Sequence, residues 1–159
     1  MSKAVMLSIR PKWVEKISNG EKTIEVRKTR PKLDTPFKCY IYCTQSGVAL
    51  GAWGKHGKVI GEFTCDRIFP INVFDNGGIQ NWFFGHMERS CLTYEELTDY
   101  IGNGRTGHGW HISDLAIYDE PIELARFHEC SRCDYPFCGE QCHSPLTRPP
   151  QSWCYVEAM

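Results

Sequence analysis

The spacing of apolar and polar positions changes period several times along the chain, and each change marks an element. Residues 4–9 form a short apolar run that reads as a buried strand. Pro11 then suits the first turn of a helix in which Trp13, Val14 and Ile17 recur at helical spacing, closed by Asn19-Gly20. Residues 22–27 alternate, with Thr23, Glu25 and Arg27 on one side and Lys22, Ile24 and Val26 on the other, which is a strand period. Two further strands are expected at 38–44 and 58–69, separated by a loop carrying Gly47, Gly51, Gly54 and Gly57. That loop lacks the strand-then-helix setting of a phosphate-binding fingerprint. Residues 70–92 show no period and carry Trp82, Phe83 and Phe84 together. Thr93-Tyr-Glu-Glu96 is a capping box opening a helix through Leu97 and Ile101 to Gly102. After a turn-rich loop at 102–109, strands are expected at 110–118, 122–127 and 153–156. Many short strands with two or three helices predict an α+β fold built on a small, mixed, curled sheet or β-barrel.

Length bounds the organisation: 159 residues suit one domain, 1–159, with 128–144 as a cysteine-rich insertion. At 42% hydrophobic and 23% charged residues the chain has the composition of a globular core former, which excludes disordered, collagenous and coiled-coil classes. No apolar run approaches the roughly 20 residues that cross a bilayer, and no signal pattern opens the chain, so a cytoplasmic location is expected, with no membrane partner. The formal net charge of −1 argues against a polyelectrolyte binder as a whole. Residues 1–40, however, hold ten Lys/Arg against four acids. That imbalance either makes a basic face that steers an anionic partner or is neutralised in space by later acids.

Of nine cysteines, Cys39, Cys43, Cys65, Cys91 and Cys154 stand singly in apolar or strand-like surroundings, where a small thiol packs. The other four, Cys130, Cys133, Cys138 and Cys142, crowd into thirteen residues with C-x2-C-x4-C-x3-C spacing, between His128 and His143. Soft thiolates two residues apart reach one ion from a tight turn, so structural zinc is the expected cofactor, with Cys142 or His143 as the fourth ligand. The alternative is four reduced, unliganded thiols. A four-ligand site leaves no open position for water and would serve folding rather than catalysis.

The segment Met6-Leu-Ser-Ile-Arg10-Pro-Lys-Trp-Val-Glu-Lys-Ile-Ser-Asn-Gly20-Glu-Lys22-Thr-Ile-Glu25-Val-Arg27-Lys, a strand and helix followed by G-x-K-x-x-E-x-R, resembles the opening of ASCH domains of the PUA-like superfamily. Gly109-Trp-His-Ile-Ser-Asp-Leu and the ending Arg148-Pro-Pro-Gln-Ser-Trp-Cys-Tyr-Val-Glu157 resemble versions common in phages and prophages, with the cysteine cluster as an insertion before the last strand. The resemblance implies a small β-barrel with a cleft beside it that binds RNA or a modified nucleoside.

The residues of the motif suit that role. Glu25 and Arg27, two apart on a strand, share a face and offer an acceptor and a forked cation to one ligand, with Lys22 at the rim. Arg27 could grip a phosphate or base edge and Glu25 accept from an exocyclic amine, with Ser8 and Arg10 alongside. Trp110 or Trp153 could supply a stacking face, although large aromatics on strands usually pack in cores. A plain salt bridge between Glu25 and Arg27 is the competing reading. His108, flanked by glycines, is a weaker candidate for a loop contact, and His111 is either a structural histidine or a ligand.

Three functions follow from the resemblance and the residues together. The first is an RNA- or modified-nucleotide-binding module using Ser8, Arg10, Lys22, Glu25, Arg27 and Trp110. The second is a hydrolase similar to the acetylcytidine amidohydrolase or an RNA nuclease, with Lys22 and Glu25 as the acid/base pair and Glu88 as a distant carboxylate; Glu25 stands where the amidohydrolase has threonine. The third is an adaptor that docks a protein partner on the cysteine knuckle.

Overall fold

The computed structural model describes residues 2–45, 56–130 and 144–159. Among these residues, eight strands form one mixed sheet: β1 (Lys3–Ile9), β2 (Ile24–Arg27), β3 (Phe37–Cys43), β4 (Lys58–Asn72), β5 (Thr106–Ile122), β6 (His128–Glu129), β7 (Ser144–Pro145) and β8 (Trp153–Glu157). Four helices accompany them: α1 (Pro11–Ser18), α2 (Asn81–Phe84), α3 (Met87–Ser90) and α4 (Tyr94–Ile101). The strand order is β2-β5-β4-β3-β1-β8-β6-β7. β1 and β3 run parallel, because the chain between them crosses over through α1 and β2.

β1 sits in the middle of the sheet and is buried on both faces, which is why its sequence is an unbroken apolar run. Val5, Leu7 and Ile9 point to one cluster with Val14, Ile17, Cys39, Ile41, Phe63 and Trp110. Ala4 and Met6 point to the other with Tyr40, Val59, Phe127 and Val156. A third cluster, Ile24, Val26, Ile71, Phe83, Leu97 and Ile101, seats the helices of residues 81–101 on the β2 end of the sheet.

The expected barrel is not closed. Among the described residues β2 pairs only with β5, and β7 only with β6, so both remain edges. The sheet is nonetheless rolled, since Arg27 on β2 reaches the Ser8 carbonyl on β1 and Ser152 just before β8. Side chains span the gap that backbone pairing would have closed, and that gap becomes the cleft described below.

Several boundaries differ from the sequence pattern, for physical reasons. β5 takes in Gly107 and Gly109, expected in a loop, because α4 packs directly on it: a Cβ at Gly107 would lie 2.6 Å from Ile101 Cδ1. The strand expected at 122–127 is instead the end of β5 followed by a 3-10 turn, Leu124–Arg126. Residues 70–92 contain two four-residue helices, too short to show a period. The capping box of α4 is complete: Thr93 Oγ1 accepts from Glu96 N at 3.1 Å and Glu96 Oε2 accepts from Thr93 N at 2.9 Å. No helix among the described residues is long and apolar enough to cross a membrane.

Candidate functional site: a cleft at the unclosed seam

A cleft of about 500 Å³ opens between β2 and the β1/β8 pair. Its floor is Lys22, Glu25 and Arg27. Its walls include Ser8 and Ile9 at the end of β1, Trp13 of α1, Glu96 and Tyr100 of α4, and residues 149–152 leading into β8. Arg10, which precedes α1, also lines it and is exposed.

The floor is a buried charge triad. Lys22, Glu25 and Arg27 are 2%, 6% and 7% exposed. Arg27 Nη2 lies 2.8 Å from Glu25 Oε1, and Lys22 Nζ lies 3.4 Å from Glu25 Oε2. Strand alternation accounts for the first pair but not the second, since it placed Lys22 on the opposite face. Regular strand begins only at Ile24, so the chain at Lys22 is free to turn its side chain under Glu25. The ammonium also donates to the Ser90 carbonyl at 2.6 Å and lies 5.2 Å from the Trp13 ring centre. Burying three charges is costly unless each is paired and hydrogen-bonded, and here the acid sits between two cations.

Arg27 is the most heavily committed side chain. Nη1 donates to Ser152 O and Ser152 Oγ, both at 3.2 Å, and Nη2 donates to Ser8 O at 2.8 Å as well as to Glu25. Four of the five guanidinium donors are therefore taken. Nε is buried with no partner. The terminal nitrogens of the fork expected to grip a phosphate or a base edge are thus engaged within the protein.

Ser8, Arg10, Lys22, Glu25 and Arg27 are thus brought together, whereas Trp110 is not with them. It is fully buried, edge-on to Phe37 at 5.7 Å, with no face open to a ligand. It pairs directly across from Glu25, but its bulk fills the first cluster, where an indole gains most from burial. Trp153 packs beside it at 6.2 Å, and its Nε1 donates to Thr29 Oγ1. The aromatics that do line the cleft are Trp13, which the helical period assigned to packing, and Tyr100. Burial raises the Tyr100 phenol above its ordinary value, against the opposing pull of Arg27. Lys28 stands 5.2 Å from its ring centre.

Glu88 lies exposed on α3 and is not a lining residue. His108 and His111 sit in β5, half-buried; His111 Nδ1 is 2.6 Å from Asp66 Oδ1. Of the cysteine run, Cys130 is described: it is buried and its amide donates to Tyr155 O at 3.0 Å. Cys133, Cys138, Cys142 and His143 lie outside the described residues. Among the described residues no three His, Cys, Asp or Glu side chains are grouped to hold a metal.

The mixed α+β fold is shared with ASCH proteins of known structure. The chain is similar to the crystal structure of ASCH from Zymomonas mobilis, with a TM-score of 0.65 at 19% identity, covering 97% of this chain and 87% of that one. A tyrosine-to-phenylalanine variant of the same Zymomonas mobilis protein matches at TM-score 0.64 and 20% identity, over 98% and 91% of the two chains. A serine-to-alanine variant gives 0.64 and 19%, over 97% and 88%. No protein-family model matches the chain, and no curated relative does.

Proposed function

We propose that the cleft binds RNA or a modified nucleotide, one unpaired nucleotide at a time. The observation that carries this reading is the composition of the cleft. Arg10, Lys22 and Arg27 against Glu25 and Glu96 leave one positive charge, beside Trp13, Tyr100 and prolines 149 and 150. A net positive, partly apolar recess about 500 Å³ in volume suits a heterocycle carrying one phosphate. The test is fluorescence anisotropy with a labelled, mixed-sequence single-stranded RNA at two salt concentrations, competed with free mononucleotides. Salt-sensitive binding is expected, weakened by Arg10→Ala and Trp13→Ala. Absence of RNA binding at low salt, together with no binding of free modified nucleosides by calorimetry, refutes the reading.

The contact between Lys22 and Glu25 supports a second reading, hydrolysis of a modified base or of RNA, because an amine and a carboxylate 3.4 Å apart can exchange a proton with a substrate or water. Turnover abolished in Glu25→Gln while nucleotide binding persists would favour it.

For the cysteine run, the proposal of structural zinc rests on the C-x2-C-x4-C-x3-C spacing. It is also supported by the way β6 and β7 pair His128 with Pro145 and Glu129 with Ser144, holding the two ends of the run together. Four convergent ligands would give about one zinc per chain by elemental analysis, abolished in Cys130→Ser with Cys133→Ser. A metal-replete preparation without zinc refutes it.

A further inference from the structure

We infer that Arg27 is a positioning residue: it acts on the ligand through the wall formed by residues 149–152, and Arg10 is the cation that meets a phosphate. The second half rests on the nucleotide reading above; the first does not.

The wall has no strand pairing of its own before Trp153, so other bonds must hold it. It is pinned at two points. Ser8 Oγ donates to Pro150 O at 2.6 Å. Ser152 O accepts from Ser8 N at 3.0 Å and from Arg27 Nη1 at 3.2 Å, and Ser152 Oγ accepts from the same Nη1. The other guanidinium nitrogen is tied to Ser8 O and Glu25. One planar group therefore joins β2, the end of β1 and the wall, fixing the width of the seam that the sheet leaves open. Its terminal nitrogens have no donor to spare, and a phosphate bound there would have to break hydrogen bonds within the protein to reach a group that is 7% exposed. Arg10, by contrast, is exposed, lines the same cleft and makes no ion pair among the described residues. A lysine in place of Arg27 keeps the charge but cannot hold three elements at once.

Two measurements separate positioning from direct binding. The first needs no ligand: amide hydrogen exchange of Arg27→Lys against wild type. Faster exchange confined to Ser8 and residues 151–153, with the β3/β4 ladder unchanged, is the expected result. Unchanged exchange at 151–153, or a uniform rise across the sheet, overturns the positioning role. The second is the salt dependence of RNA affinity. Removing one cation that neutralises a phosphate of a single strand lowers the slope by about 0.7. Arg10→Ala is expected to lower it by that amount, whereas Arg27→Gln weakens binding about tenfold at unchanged slope, the scale of one charged hydrogen bond. A slope lowered by about 0.7 in Arg27→Gln overturns the assignment. If that variant does not fold, Ser152→Ala decides, because it removes a hydrogen bond to the wall and no charge: weaker binding at constant slope supports positioning, and unchanged affinity overturns it. If wild type binds no RNA, the RNA reading and the phosphate role of Arg10 fall, and the exchange experiment still decides what Arg27 does.

Discussion

Replacing Glu25 by glutamine keeps the size and shape of the side chain and removes the only acid of the buried triad. Lys22 and Arg27, 2% and 7% exposed, would then face a neutral amide. Breaking a buried ion pair by neutralising one partner costs about 3–5 kcal/mol, because a charge is left uncompensated away from water. The remaining bonds, Lys22 to Ser90 O and Arg27 to Ser8 O and Ser152, satisfy donors but carry no full negative charge. Against a total stability of about 5–15 kcal/mol, that is a large share. At about 2–4 °C per kcal/mol for a chain of this length, the midpoint of thermal unfolding should fall by roughly 6–20 °C. Circular dichroism melts of the two proteins give the shift. Repeating them at high salt gives its character, since buried charges are little screened and the difference should persist. A fall of less than about 2 °C would refute the reasoning, placing the triad with exposed pairs worth about 0–1 kcal/mol.

Other consequences are as specific. Thr93→Ala removes one half of the α4 capping box and should cost about 1 kcal/mol, a drop of about 2–4 °C in the same melts. Burial pushes the Cys43 thiol up to about 11 and the Cys65 thiol up to about 12, and holds Cys39 well above its ordinary range. Iodoacetamide at pH 8 should therefore alkylate half-exposed Cys91 long before those three, as read by peptide mass spectrometry; comparable rates would contradict the burial. Burial, with Arg30 nearby, lowers the His108 pKa, so its neutral form is favoured in the folded chain. Its contribution is present above the unfolded value of about 6.5 and is lost as pH falls through the lower folded value. His108→Gln should lose less stability than wild type between pH 7 and pH 5 in urea melts, and equal losses would remove His108 as a cause.

Local pattern carried much of this protein. The two-sided burial of β1 is written in its unbroken apolar run, the start of α1 in Pro11, and the α4 cap in Thr93 and Glu96, because each depends on residues within a few positions of one another. The G-x-K-x-x-E-x-R motif likewise marked Lys22, Glu25 and Arg27, and the short separation of Glu25 and Arg27 on one strand placed them on one face. Tertiary structure decided what those residues do. Arg27 is committed to Ser8 and to Ser152, the latter 125 positions away, and no local spacing encodes that bond. Whether the rolled sheet closes depends on β2 meeting β1 and β8, a long-range pairing that here is replaced by side chains. Trp110 took the core place that large aromatics on strands usually take, and Trp13 both packs on that core and lines the cleft. A strand period says which side a side chain takes, but only the curl of the sheet says whether that side is core or cleft.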